Sequence, residues 1–416
     1  MKPEAVISGT GIEAPEYPKR NSMLAIGPPE YMGGKVSHFV KNKASKQFHR
    51  LGERETYLLG LMDGSQSLMD IQQAYLLHSG KRLGLDSIKR LIEQFERRGL
   101  LGESDPAHSA KSRIVYRQGP FAFKLLVFNP DPFLSRILPY IRFIFHPVFV
   151  VASIATILAS ETWVGLHLRE LEDTVFHENV RLLMSSLAVG LILFLITAAF
   201  HECAHALTCK HFGGEVPEMG ILFRYLSLYP YAKLDDLVLL ESRRHRVYIL
   251  AAGTWVSLLF LPLFVYAWLH SAGGTLPHVV SGNMLIWYNL GVLSNLAPFL
   301  QLDGYFILAH LLHVPNLRSD SYEYFKERAS SFFGKSRPSV EHPAFLKRIF
   351  VVYGVTSFCM STYIVGSIAW HWYEWLFRRI GYFALLILVV GLVAGFFKQW
   401  LAFLRYLGYF RSHGSA

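Results

Sequence analysis

Six apolar runs, each about as long as a lipid bilayer is thick, decide most of what this 416-residue chain can become. They cover residues 137–160, 182–210, 247–270, 282–312, 347–370 and 380–402. A helix needs roughly 20 apolar residues to cross the hydrocarbon core, where each backbone polar group must be satisfied from within. Composition agrees: 52% of residues are apolar and 17% charged, against about 25% charged in a typical soluble domain. That balance excludes a disordered chain and argues against a purely soluble enzyme. Three cysteines and no CxxC spacing leave no disulfide framework. No signal peptide is expected, because the first apolar run begins after residue 136. The expected class is mainly α: a polytopic helical membrane protein of about six transmembrane helices with a small N-terminal winged-helix-like α+β domain.

The net charge of +10 is unevenly spread, and residues 1–124 carry +6 of it. The 313–348 loop is basic (Arg318, Lys326, Arg328, Lys335, Arg337, Lys347, Arg348), whereas 161–179 is acidic (Glu161, Glu170, Glu172, Asp173, Glu178). The positive-inside rule then puts the basic loop, the N-terminal domain and the C-terminus in the cytoplasm of a multi-pass cell-membrane protein. Trp163, Trp268, Trp370, Trp372 and Trp375 fall at the outer interface in this topology, with Arg378 and Arg379 on the wrong side of it.

Before the membrane part, residues 1–30 are rich in Pro, Gly and Glu without a period and read as a flexible lead-in. Residues 31–104 read as a soluble module. Val36, His38 and Val40 alternate as in a strand, and Glu53–Met62 forms a short helix. Ser67 with Asp70 resembles a capping box opening a second helix. Ile88, Leu91, Ile92 and Phe95 line one face of a third, which Gly99 ends. Residues 105–136 are expected to be a linker and interfacial segment, and 137–416 the transmembrane domain.

The chemistry lies in Phe200-His201-Glu202-Cys203-Ala204-His205. Histidines four apart share a helix face and can bind one zinc ion, with the glutamate between them turned to meet a water as general base. The motif closes an apolar run, a depth at which ionisable groups are costly and functional by default. A catalytic zinc needs a third protein ligand. His211 has metzincin-like spacing, but Thr208 stands where that motif needs Gly, and His211 falls about 240° around the helix from His205. Asp303 is the better candidate, as the lone acidic residue between Glu241 and Asp320. His201 lies 19 residues beyond Leu182, and Asp303 lies 19 beyond Met284. At about 1.5 Å per residue both reach the same depth, near the cytoplasmic face. Pro298 and Gly304 are expected to interrupt the fourth run.

His201-Glu202-Cys203-Ala204-His205 together with Asn295-Leu296-Ala297-Pro298-Phe299-Leu300-Gln301-Leu302-Asp303-Gly304 resembles the site-2 protease family of intramembrane zinc metalloproteases, over about residues 182–318. The resemblance implies one zinc ion held by His201, His205 and Asp303, Glu202 as catalytic base, and Asn295 as the asparagine that holds substrate or the oxyanion. Gly213–Tyr231 and Asp303–Arg318 are similar to the peptide zinc metalloprotease subgroup, which often accompanies ribosomal peptide maturation. Lys35-Val36-Ser37, Phe48-His49-Arg50-Leu51, Leu61-Met62-Asp63-Gly64 and Leu91-Ile92-Glu93 to Gly99-Leu100-Leu101 resemble the peptide-chaperone domain of pyrroloquinoline quinone biosynthesis, which binds leader peptides along a sheet edge.

The expected function is intramembrane hydrolysis of a peptide or membrane-anchored precursor, with leader removal as one form of it. Alternatives are a regulatory protease that releases a membrane-tethered transcription factor and a non-enzymatic zinc-handling transporter. Nucleic acid is not an expected partner, since Lys89, Arg90, Arg97 and Arg98 suit a solvated helix face near anionic lipid.

Overall fold

The computed structural model describes residues 16–32, 34–102, 123–176, 180–224, 227–332 and 342–380. Residues up to Asp320 belong to one compact unit and those from Ser321 to a second.

The first unit opens with four short strands, β1 (Leu24–Ile26), β2 (Glu30–Met32), β3 (Lys35–Asn42) and β4 (Gln47–Gly52). The register makes β3 central: Ser37 faces Glu30 on one side and Gly52 on the other, and Val40 faces Ile26 and His49. β1 and β2 therefore share one edge, joined where the Gly27 amide donates to the Phe39 carbonyl at 2.7 Å. Three helices follow, α1 (Glu53–Leu61), α2 (Leu68–Ser79) and α3 (Leu85–Arg97). Ser67 caps α2: its Oγ accepts from the Asp70 amide at 3.3 Å while the Asp70 carboxylate accepts from the Ser67 amide at 3.0 Å. Gly80 and Gly99, both at φ of 66°, turn the chain after α2 and α3. Ile88, Leu91, Ile92 and Phe95 close the core over Val40, Leu51, Leu58 and Ile71.

The structure alters one expected boundary here. The domain starts before residue 31, because Lys19 bridges to Asp63, Arg20 to Leu101, and β1 and β2 extend the sheet. Segments of three residues around Pro28-Pro29 carry no readable period. These four strands all precede the three helices, and after α3 Gly99 accepts from Asn42 of β3 at 2.8 Å and Leu101 bridges to Arg20.

Residues 123–136 are not a simple linker. They form β5 (Phe123–Phe128) and the start of α4 (Asp131–Ile141). α5 (Pro147–Leu166), α6 (Leu168–Phe176) and α7 (Val180–His211) follow. A hairpin, β6 (Met219–Arg224) and β7 (Ser227–Ala232), pairs with β5 in the order β5-β6-β7. Then come α8 (Arg243–Leu258), α9 (Leu261–Leu269), α10 (Leu276–Asn283), a π-turn over Met284–Tyr288, α11 (Asn289–Asn295) and α12 (Asp303–Leu312). α13 (Leu317–Phe332) leads into the second unit, which holds α14 (Ala344–Ile380).

Among the described residues four helical stretches are long and apolar enough to cross a membrane: Pro147–Leu166, Arg181–His211, Arg243–Leu269 and Ala344–Ile364. The expected runs 182–210, 247–270 and 347–370 coincide with the last three. The run 137–160 does not hold as one span: α4 ends at Ile141, and α5 starts afresh at Pro147, where a proline suits the first helical turn. α5 then continues through Glu161, which was expected in an outer acidic loop. That carboxylate is held inside the helix layer by the Asn289 amide, 2.9 Å away. The run 282–312 is broken as well, at Leu296–Leu302, between α11 and α12. The expected span 380–402 lies beyond the described residues except at Ile380.

Candidate metal centre

α7 supplies His201, Glu202 and His205. Its length follows from an uninterrupted apolar run, and Gly213, at φ of 87°, turns the chain just beyond it. The Lys210 ammonium fixes that end by donating to Asp131 of α4 at 2.7 Å, and the same carboxylate accepts from the Val216 amide at 3.0 Å.

Asp303 arrives from the broken segment. α11 stops at Asn295 because Pro298 cannot continue it, and the chain re-enters helix at Asp303. Gly304 is required at that point: a Cβ there would meet the carbonyl of Leu296. The break thus folds the start of α12 back against the end of α11 and aims Asp303 at α7.

The three side chains converge. Nε2 of His201 and Nε2 of His205 are 3.1 Å apart, and Oδ2 of Asp303 lies 3.1 Å from the first and 3.2 Å from the second. His205 is 4% exposed. Each imidazole is oriented from α8. His205 Nδ1 donates to the Ile249 carbonyl at 2.6 Å, and His201 Nδ1 is 2.9 Å from Ser257 Oγ. A carbonyl only accepts, so in the neutral ring of His205 the proton sits on Nδ1 and Nε2 presents a lone pair inward. With Nδ1 of His201 donating to Ser257, two lone pairs and a carboxylate oxygen meet at one point.

That arrangement asks for a cation. Ligand atoms at about 2.0–2.1 Å from a tetrahedral zinc stand roughly 3.3 Å apart, close to the three separations found here. The space beside them is kept by Gly253 of α8, where a Cβ would meet Nε2 of both histidines. Among the described residues these three form the one group of histidine, cysteine and acidic side chains placed to hold a metal ion.

Glu202 is outside the group of three but borders it, within electrostatic reach of His201, His205 and Asp303. His211 is not part of the group: its ring stacks on Phe145 at 4.0 Å between centroids. Asn295 touches the ligand rather than an open position. Its Nδ2 donates to Asp303 Oδ2 at 2.6 Å and is 3.3 Å from Thr254 Oγ1.

No family model, curated protein or solved structure matches this chain. The reading of the site therefore rests on its geometry. The motif pair did not reveal the α8 contacts, Ile249, Gly253, Thr254 and Ser257. A signal was present: Gly253 and Ser257 place small residues four apart in an apolar run, where two helices can approach closely.

Proposed function

We propose that this chain is an intramembrane zinc endopeptidase acting on a peptide or membrane-anchored precursor. The observation that carries the reading is the convergence of His201, His205 and Asp303 around a gap kept open by Gly253, with the Glu202 carboxylate at its border. Zinc bound there would polarise the scissile carbonyl and make water a competent nucleophile near neutral pH. His201, His205 and Asp303 hold the ion, and Ser257, Ile249 and Asn295 orient those three side chains. Glu202 takes the proton from the attacking water and returns it to the leaving amine.

Around this site we place a multi-pass protein with about six spans and the N-terminal domain and C-terminus in the cytoplasm, supported by the basic 313–348 segment. The N-terminal domain holds the precursor, and leader removal in ribosomal peptide maturation is the form of the reaction that the sequence resemblances favour. The test uses full-length protein in detergent with a fluorogenic peptide carrying an apolar segment. Zinc content and cleavage are measured together before and after chelation. Cleavage that stops with zinc removal and returns with added Zn2+ supports the proposal; cleavage indifferent to the chelator overturns it.

A further inference from the structure

The N-terminal domain sits on the helical core through two buried ion pairs of opposite sense. Lys41 of β3, 5% exposed, reaches Asp236 at 2.6 Å and Glu215 at 3.0 Å. Glu30 of β2, 4% exposed, accepts from Nη1 of Arg246 in α8, itself 2% exposed. Between the pairs Gly27 lies against the Val238 carbonyl so closely that a Cβ has no room.

The two pairs are not equivalent. Among the described residues the ion pairs of Lys41 reach only Glu215 and Asp236, which precede α8 in the chain. Arg246 stands at a junction: its Nε donates to the Leu240 carbonyl at 2.9 Å, Nη2 to Val238 at 3.2 Å, and Nη1 lies 3.4 Å from Nδ1 of His310 in α12. α8 packs against both α7 and α12. It carries the groups that orient the ligands: Ile249 on His205, Ser257 on His201, Thr254 beside Asn295. α12 begins with Asp303, and His310 is seven residues on, about two helical turns. Arg246 precedes Gly253 by the same seven residues. The helix pair that brings the ligands together is thus tied two turns away by one guanidinium, and Glu30 of the N-terminal domain is its ion-pair partner among the described residues.

We infer that the N-terminal domain is a positioning element of the metal centre: Glu30 neutralises Arg246, and Arg246 sets the spacing of α8 and α12. A buried cation stripped of its counter-ion is strongly unfavourable and moves toward water. Here that movement drags the α8–α12 contact and, with it, the separation of Asp303 from the two histidines. The domain thereby acts on the centre itself, independently of any precursor it holds. The inference rests on reading His201, His205 and Asp303 as a zinc site.

The test measures Zn2+ affinity of full-length protein in detergent by competition with a chromophoric chelator. Amide hydrogen exchange over 303–312 is followed in zinc-free samples. Glu30→Gln is expected to weaken Zn2+ binding at least tenfold and to speed exchange in α12. The reversed pair Glu30→Arg with Arg246→Glu is expected to recover most of the affinity. Lys41→Met loosens the same domain without touching Arg246 and is expected to stay within about twofold of the unaltered protein. Equal losses in Glu30→Gln and Lys41→Met would show that general loosening is the cause and would overturn the inference. So would unchanged affinity and exchange in Glu30→Gln. Asp303→Ala runs beside them: if it retains full Zn2+ affinity, the zinc-site reading has failed rather than the coupling.

Discussion

Nδ2 of Asn295 donates a 2.6 Å hydrogen bond to the same Asp303 oxygen that faces both histidines. The family resemblance implies a role for Asn295 toward substrate or oxyanion, whereas the structure puts its amide on Asp303, the proposed third ligand. Partners that orient a metal ligand are typically worth about 10–100-fold in affinity. Asn295→Ala is therefore expected to weaken Zn2+ binding by about that factor in a chelator competition. Full Zn2+ affinity with lost cleavage would return Asn295 to the substrate.

Gly253 gives a sharper steric test. The added methyl of Gly253→Ala occupies the space beside both Nε2 atoms while leaving each ligand in the sequence. Bound zinc is expected to fall below a tenth of the normal content, with helical circular dichroism unchanged. Gly273, which has open space around it, is the matched control, and Gly273→Ala is expected to retain its zinc.

How far the sequence revealed this site depends on range. His201, Glu202 and His205 are legible because helix geometry fixes the faces of residues one and four apart. Asp303 is legible because a lone carboxylate in a long apolar stretch has few reasons to be there. What stays hidden is the geometry between elements. Nothing in the spacing of Ile249 or Ser257 says that they meet His205 and His201, since that contact depends on how α8 lies against α7. The acidic neighbours of Glu161 suggest an outer loop, because only the folded chain shows Asn289 across from it. β1 and β2 are not legible for a different reason: strands three residues long have no period, and β3 pairing creates them.

The seat of the N-terminal domain should respond to pH from both sides. The hydrogen bond from Lys41 holds the Glu215 carboxyl below its ordinary range. For Asp131 burial pushes upward, but the bonds from Lys210 and the Val216 amide keep it low. Groups lowered on folding stabilise the structure above their unfolded value, near 4, and lose that contribution as pH falls through the folded value. Lys41 has the opposite sign. Burial alone would lower it, but its bonds to Asp236 and Glu215 raise it, so its contribution holds below about 10.4 and is lost as pH rises through the folded value. Protease nicking in residues 16–102 should therefore be slowest between about pH 5 and 10 and accelerate outside that window. Lys41→Met should flatten the alkaline limb; a limb of unchanged steepness would mean that another group controls it.

The separation of base from ligand can be tested in one preparation. Glu202 follows His201 by one residue, about 100° around α7, so it cannot share the ligand face with His201 and His205. Its carboxylate instead lies at the margin of the site, within electrostatic reach of both histidines. Glu202→Gln keeps the shape but cannot take a proton. Zinc content and thermal unfolding are accordingly expected to stay normal. Cleavage should fall by at least the ~10²–10⁴ that a positioned general base contributes. A zinc-handling transporter has no need of proton abstraction at that position and would keep its metal flux in the same variant. Precursor cleavage, bound zinc and zinc flux in liposomes are measured on one Glu202→Gln sample. Lost cleavage with intact zinc supports the protease, whereas normal cleavage with intact zinc removes Glu202 from the chemistry and the endopeptidase proposal with it.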